Sequence, residues 1–204
     1  MRRFLAWLLG TWIAVGAVQA APSRTVLVLG DSLSAAHNLP VEQGWVHLLE
    51  MRLAKMAPPW QVVNASISGE TSLSGRGRLP ALLATYRPGV VVLELGANDG
   101  LRGLPLTQLE DNLAAMIDAA QATGARVLLL GIELPVNYGP QYRDGLRAVY
   151  ARLAERKRIA LVPFLLAGVA EDPALMQDDG LHPNAAGQPR VLANVWPALV
   201  PLLR

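Results

Sequence analysis

The chain has 204 residues, 52% of them hydrophobic and only 17% charged, which excludes intrinsic disorder and suits one domain with a substantial core. Its 18 basic and 16 acidic side chains balance once Arg2 and Arg3 are set aside, so the basic excess that nucleic-acid binding needs is absent. The lack of cysteine rules out disulfides and thiolate metal sites.

Arg2 and Arg3 precede an uncharged apolar run over residues 4–18, and Val18-Gln19-Ala20 places small residues where a signal peptidase cuts. The run is short for a membrane span, which takes roughly 20 residues. These features predict a Sec-type signal peptide over residues 1–20, cleaved before Ala21. The expected mature domain, residues 21–204, is then periplasmic or secreted, with no stable membrane insertion.

Next comes an apolar strand over residues 25–29, followed at once by Gly30-Asp31-Ser32-Leu33-Ser34. Helical periodicity covers 42–56, and a second strand at 61–65 leads into Ser66-Ile67-Ser68-Gly69-Glu70. A third strand, 90–95, ends at Gly96-Ala97-Asn98-Asp99-Gly100. Beyond it the pattern predicts a helix at 108–122, a strand at 126–131, a helix at 140–156, a strand at 159–162 and a helix at 185–199 that Pro197 ends or kinks. No repeat or flexible linker divides the chain. The alternation predicts the α/β class, a flavodoxin-like three-layer α/β/α sandwich on a five-stranded parallel sheet. Ligands of such sheets bind beyond the carboxyl ends of the strands, where the Ser32, Gly69 and Asn98 segments all fall.

Serine needs a base within hydrogen-bonding reach and a third group to orient that base. The chain has three histidines. His47 lies in the helical segment, where a structural role is the better reading. His37 sits in a polar loop close to Ser32. His182 is the expected base, because Asp179, three residues earlier in Asp179-Gly180-Leu181-His182-Pro183-Asn184, can turn back onto its Nδ1. The same Asp179, or Asn184, would equally serve as a helix cap. Asp178 is adjacent, but its spacing to His182 is less suitable. The Ser32 and Gly69 amides and the Asn98 side chain are candidate oxyanion donors, and turn formation alone would also explain the last two.

The four segments, in this order, resemble the blocks of the SGNH (GDSL) hydrolase superfamily. Gly96 to Pro105 and Leu134-Pro135-Val136-Asn137-Tyr138-Gly139 are more narrowly similar to the bacterial periplasmic acyl-CoA thioesterase I group, also described as arylesterase, lysophospholipase and protease I. The resemblance implies Ser32 as nucleophile, Asp179 and His182 completing a triad, and Ser32, Gly69 and Asn98 as the oxyanion hole. It also implies substrate contacts from Leu134, Pro135 and Tyr138. The Gly-x-Ser-x-Gly elbow of the α/β-hydrolase fold is missing.

Together these features predict a serine esterase acting on small-molecule acyl or aryl esters, thioesters and lysophospholipids, as a monomer and without metal or organic cofactor. A carbohydrate O-acetyl esterase would share the blocks, although aromatic residues for stacking on sugars make up only 5% of the chain. A non-catalytic lipid-binding protein would use the same cleft without turnover.

Overall fold

Five parallel strands form the centre of the protein in the computed structural model, which describes residues 23–204. In chain order the elements are β1 (Ser23–Gly30), α1 (Trp45–Leu53), β2 (Gln61–Asn64), α2 (Ser72–Tyr86), β3 (Pro88–Glu94), α3 (Ala97–Leu101), α4 (Leu106–Ala122), β4 (Arg126–Leu130), α5 (Pro140–Lys157), β5 (Ala160–Val162) and α6 (Gln188–Leu199). The strand order is β2-β1-β3-β4-β5 and every pairing is parallel. Helices α2, α4 and α5 pack side by side on one face, and α1 with α6 on the other. This is the α/β/α sandwich expected. The signal-peptide expectation for residues 1–20 lies outside the described residues, among which no helix is long and apolar enough to cross a membrane.

The strands were legible because both faces of the sheet are covered, so its central strands read as continuous apolar runs. All seven residues of β3 are buried, as are the last six of β1. The order reverses between β1 and β3, whose carboxyl ends open the crevice where such sheets bind ligands.

Helix α2 escapes sequence reading because Gly75, Gly77 and Pro80 interrupt its pattern. Tertiary packing overrides that weak propensity. A Cβ on Gly75 would sit 2.4 Å from Leu95 Cδ1, so glycine is what lets the helix lie against the end of β3. Thr71 caps the helix through its hydroxyl, which accepts from the Ser74 amide at 3.4 Å. Pro197 does not stop α6: the helix runs through it to Leu199 and continues as a 3-10 turn. The helix ends two residues later, at Leu199 as expected, and a proline so near a helix end removes only one bond from a ladder that is already ending.

Candidate active site

Register builds the first half of the site. Pairing of β1 with β3 sets Gly30 beside Glu94, and a Cβ on Gly30 would come within 2.6 Å of Glu94 Oε2. After Gly30 the chain turns sharply, with the Ala35 amide donating to Asp31 O at 3.0 Å and the Leu33 amide to Asp31 Oδ1 at 3.1 Å. That turn presents the half-buried Ser32 hydroxyl to the crevice.

The second half arrives 150 residues later. His182 Nε2 lies 2.8 Å from Ser32 Oγ, and His182 Nδ1 lies 2.7 Å from Asp179 Oδ2. The other oxygen of Asp179 accepts from the Leu181 and His182 amides at 2.9 and 3.0 Å. Partial burial opposes the charge on Asp179, but the Leu181 amide and then His182 outweigh it and hold the carboxyl at about 2. An ionised carboxylate only accepts, so Nδ1 of His182 carries the proton and Nε2 faces the serine with a free lone pair. Asp178 makes no such contact and lines a surface groove together with Asp179, Gln177 and Asn184.

Polar side chains fix the two loops to each other. Gln177 Nε2 donates to His37 O at 2.9 Å and to Pro183 O at 3.0 Å. Gln188 accepts from the Trp45 amide at 2.9 Å and donates to Pro183 O at 3.2 Å, while Trp45 Nε1 donates to Leu33 O at 3.1 Å. Trp45 and Gln188 are buried, so these bonds are shielded from water.

The expected oxyanion donors converge on the same edge. Among the described residues neither the Ser32 nor the Gly69 amide has an intramolecular acceptor, and Gly69 holds φ at +81° in the loop after β2. Asn98 stands at the start of α3 instead of in an open turn. Its Nδ2 donates to Asp31 Oδ2 and to Glu70 O, each at 3.1 Å. Next to it the buried Asp99 ties the site to α2, accepting from the Ser72 amide at 2.8 Å and the Ser72 hydroxyl at 2.5 Å.

Sequence reasoning missed a buried carboxyl pair beneath the serine. Asp31 and Glu94 are both fully buried. Glu94 Oε2 accepts from the Asp31 amide at 3.2 Å and from Ser34 Oγ at 2.7 Å, whereas Glu94 Oε1 has no partner. Burial, and then the charge of Asp31, push the Glu94 carboxyl well above its ordinary value. Burial raises Asp31 to about 6, against the pull of the Leu33 amide and Asn98. Glu94 therefore keeps the proton: both oxygens of Asp31 receive donors, and one of Glu94 receives none.

Both carboxyls hold protons more tightly folded than unfolded, so the pair lowers stability as pH rises. For Asp31 that loss falls between its unfolded value near 3.8 and about 6. Glu94→Gln keeps the acceptor oxygen and shape but cannot ionise in the unfolded chain, so it removes the part of the pH-dependent loss that comes from Glu94. Its stability relative to the parent should grow as pH rises above 4.5, the ordinary value of Glu94, in denaturant titrations, and a pH-independent difference would contradict the assignment.

A cavity of about 100 Å³ opens beside Ser32, Asn98 and His182, walled by Leu101, Ile132, Leu134, Pro135, Phe164 and Leu166. Leu134 and Pro135 thus lie where substrate contacts were expected. Tyr138 does not. Its hydroxyl donates to Leu101 O at 2.9 Å, which turns the ring into a neighbouring groove with Leu106, Pro140 and Tyr142. His47 sits on α1, paired with Glu50 at 3.3 Å.

The GDSL-like lipase/acylhydrolase family matches residues 28–190. Esterase TesA of Pseudomonas aeruginosa is 56% identical over 185 residues, covering 91% of this chain and 92% of that protein. Thioesterase 1/protease 1/lysophospholipase L1 of Escherichia coli K12 is 43% identical, covering 91% and 88%. The crystal structure of the psychrotrophic esterase EstA from Pseudoalteromonas, inhibited by monoethylphosphonate, is 40% identical, with a TM-score of 0.84 over 89% of this chain and 99% of that one. A match across most of the described residues, with relatives alike over nearly their whole length, decides the classification: this chain is an enzyme of the GDSL-like lipase/acylhydrolase family.

Proposed function

We propose that the protein hydrolyses carboxylic esters and thioesters through an acyl-enzyme on Ser32. The observation that carries this reading is the unbroken hydrogen-bonded line from Asp179 through His182 to Ser32 at the mouth of an apolar cavity. His182 Nε2 takes the Ser32 proton as Oγ attacks the carbonyl carbon, and Asp179 stabilises the imidazolium. The oxyanion draws on the Ser32 and Gly69 amides and on Asn98 Nδ2. His182 then protonates the leaving alcohol or thiol, and water repeats the sequence to release the acid. No step calls for a metal or organic cofactor.

The names of the relatives support esters and thioesters of apolar acyl groups as the substrate class, lysophospholipids included. The walls support it too. The first cavity is small, but it shares Leu134, Pro135, Phe164 and Leu166 with an open groove of about 370 Å³ that reaches Ala170 and Met176 and is also lined by Glu133, Arg143 and Glu171. A short acyl group fills the cavity and a longer one continues along the groove. Each further buried methylene contributes about 0.8 kcal/mol, or about fourfold in kcat/KM.

The test is burst kinetics on p-nitrophenyl esters of increasing acyl length. A burst of nitrophenol that Ser32→Ala abolishes, with kcat/KM rising with chain length, is the expected result. A folded protein without turnover on any of these esters would leave the binding-protein reading standing. Every group in this proposal comes from one chain, so a monomer suffices. The pattern of residues 1–20 supports a periplasmic or secreted enzyme, and the chain recovered there should begin at Ala21.

A further inference from the structure

His37 has a backbone pinned from two sides. Its amide donates to Ser32 O at 3.3 Å, and its carbonyl accepts from Gln177 Nε2 at 2.9 Å. The residues flanking it, Ala36 and Asn38, both hold positive φ, 56° and 55°, a conformation that non-glycine residues keep only when their surroundings enforce it. The result is an imidazole held over His182, with ring centroids 4.3 Å apart and planes tilted by 38°. The ring of His37 is absent from the walls of the acyl cavity, and the proposed mechanism gives it no task.

One ligand atom each from His37, Asp179 and His182 lies within 4.8 Å of the other two. Two imidazoles and a carboxylate are a donor set that zinc takes readily, with the fourth position left to water. The ligands of a tetrahedral zinc ion stand about 3.3 Å apart, so modest side-chain rotation closes the shell. Hard cations such as Mg²⁺ prefer all-oxygen shells and do not suit it.

We propose that His37, Asp179 and His182 form an inhibitory site for Zn²⁺ and similar borderline-soft divalent cations, which switch the enzyme off reversibly by taking a lone pair of His182. An ion on Nδ1 bridges His182 to Asp179 and moves the ring proton from Nδ1 to Nε2, so the imidazole stays neutral and an N–H faces Ser32. His182 can then no longer accept the proton of Ser32. The inhibition rests on the proposed esterase reaction, whereas the binding itself does not.

The experiment therefore has two arms. Calorimetric titration of Zn²⁺ into the Ser32→Ala protein measures binding without turnover. Ester hydrolysis by the unsubstituted enzyme, with Zn²⁺ or Mg²⁺ and then with chelator, measures inhibition. We expect saturable Zn²⁺ binding at one site, inhibition by Zn²⁺ but not Mg²⁺, and full recovery on chelation. His37→Phe keeps the stacked ring without a ligand nitrogen. It should retain basal turnover and raise the half-inhibitory Zn²⁺ concentration by at least about tenfold, since even weaker perturbations of zinc shells have effects of that order. Equal Zn²⁺ sensitivity in His37→Phe, or no calorimetric binding, overturns the proposal. Absence of ester turnover with Zn²⁺ binding intact would overturn the esterase reading and leave the site standing.

Discussion

Ser32→Ala and His182→Ala are each expected to lower kcat by about 10⁴- to 10⁶-fold, and the double variant to fall no further. The geometry gives the reason. The serine hydroxyl has one proton acceptor, His182 Nε2 at 2.8 Å, so removing either partner removes the whole proton transfer. Asp179→Asn should cost about 10⁴-fold by a different route. An amide can donate where the carboxylate only accepted, which invites the imidazole to place its proton on Nε2, facing the serine. The depressed Asp179 carboxyl, at about 2, keeps the parent enzyme clear of that fault at any pH above the acid range. Single-turnover kinetics with equal protein folding, checked by circular dichroism, decide the matter. Single variants within tenfold of the parent, or additive losses in the double, would refute the arrangement.

Asn98→Ala is expected to reduce kcat by on the order of 10²- to 10³-fold with little change in KM, because an oxyanion donor acts on charge that exists only in the transition state. Both Nδ2 hydrogens are directed elsewhere in the structure, to Asp31 Oδ2 and Glu70 O. The developing oxyanion must draw one of them away, and it does so best when its own charge is greatest. Asp31 positions this donor, and Glu94 below it holds Asp31 through its amide. Asn98→Asp should be worse than Asn98→Ala, since it sets a carboxylate against Asp31 and also loses the donor. Asn98→Ala with unchanged kcat in a folded protein would remove Asn98 from the oxyanion hole.

The strands and most helices were legible in the sequence because burial on both sheet faces leaves apolar runs that periodicity detects. Ser32 and the His182 segment were legible because chemistry needs those residue types at strand ends. The failures share one physical origin, which is contact between residues far apart in sequence. Helix α2 went unread because Gly75, Gly77 and Pro80 blur its pattern, whereas its packing on Leu95 is a contact with β3's end. Glu94 read as an interior residue of the apolar strand 90–95, and only register set it beside Gly30 and under Asp31. Tyr138 faced the cavity by analogy and turned away to reach Leu101 O. His37 gained meaning only from the ring of His182, 145 positions later. The sequence by itself determined the layered fold and which residue types stand at its carboxyl edge, because local periodicity and backbone punctuation encode both. Tertiary structure alone decided the Asp31–Glu94 pair, the path of the acyl cavity and the stacking of the two histidines, because burial and charge coupling arise only where distant segments meet.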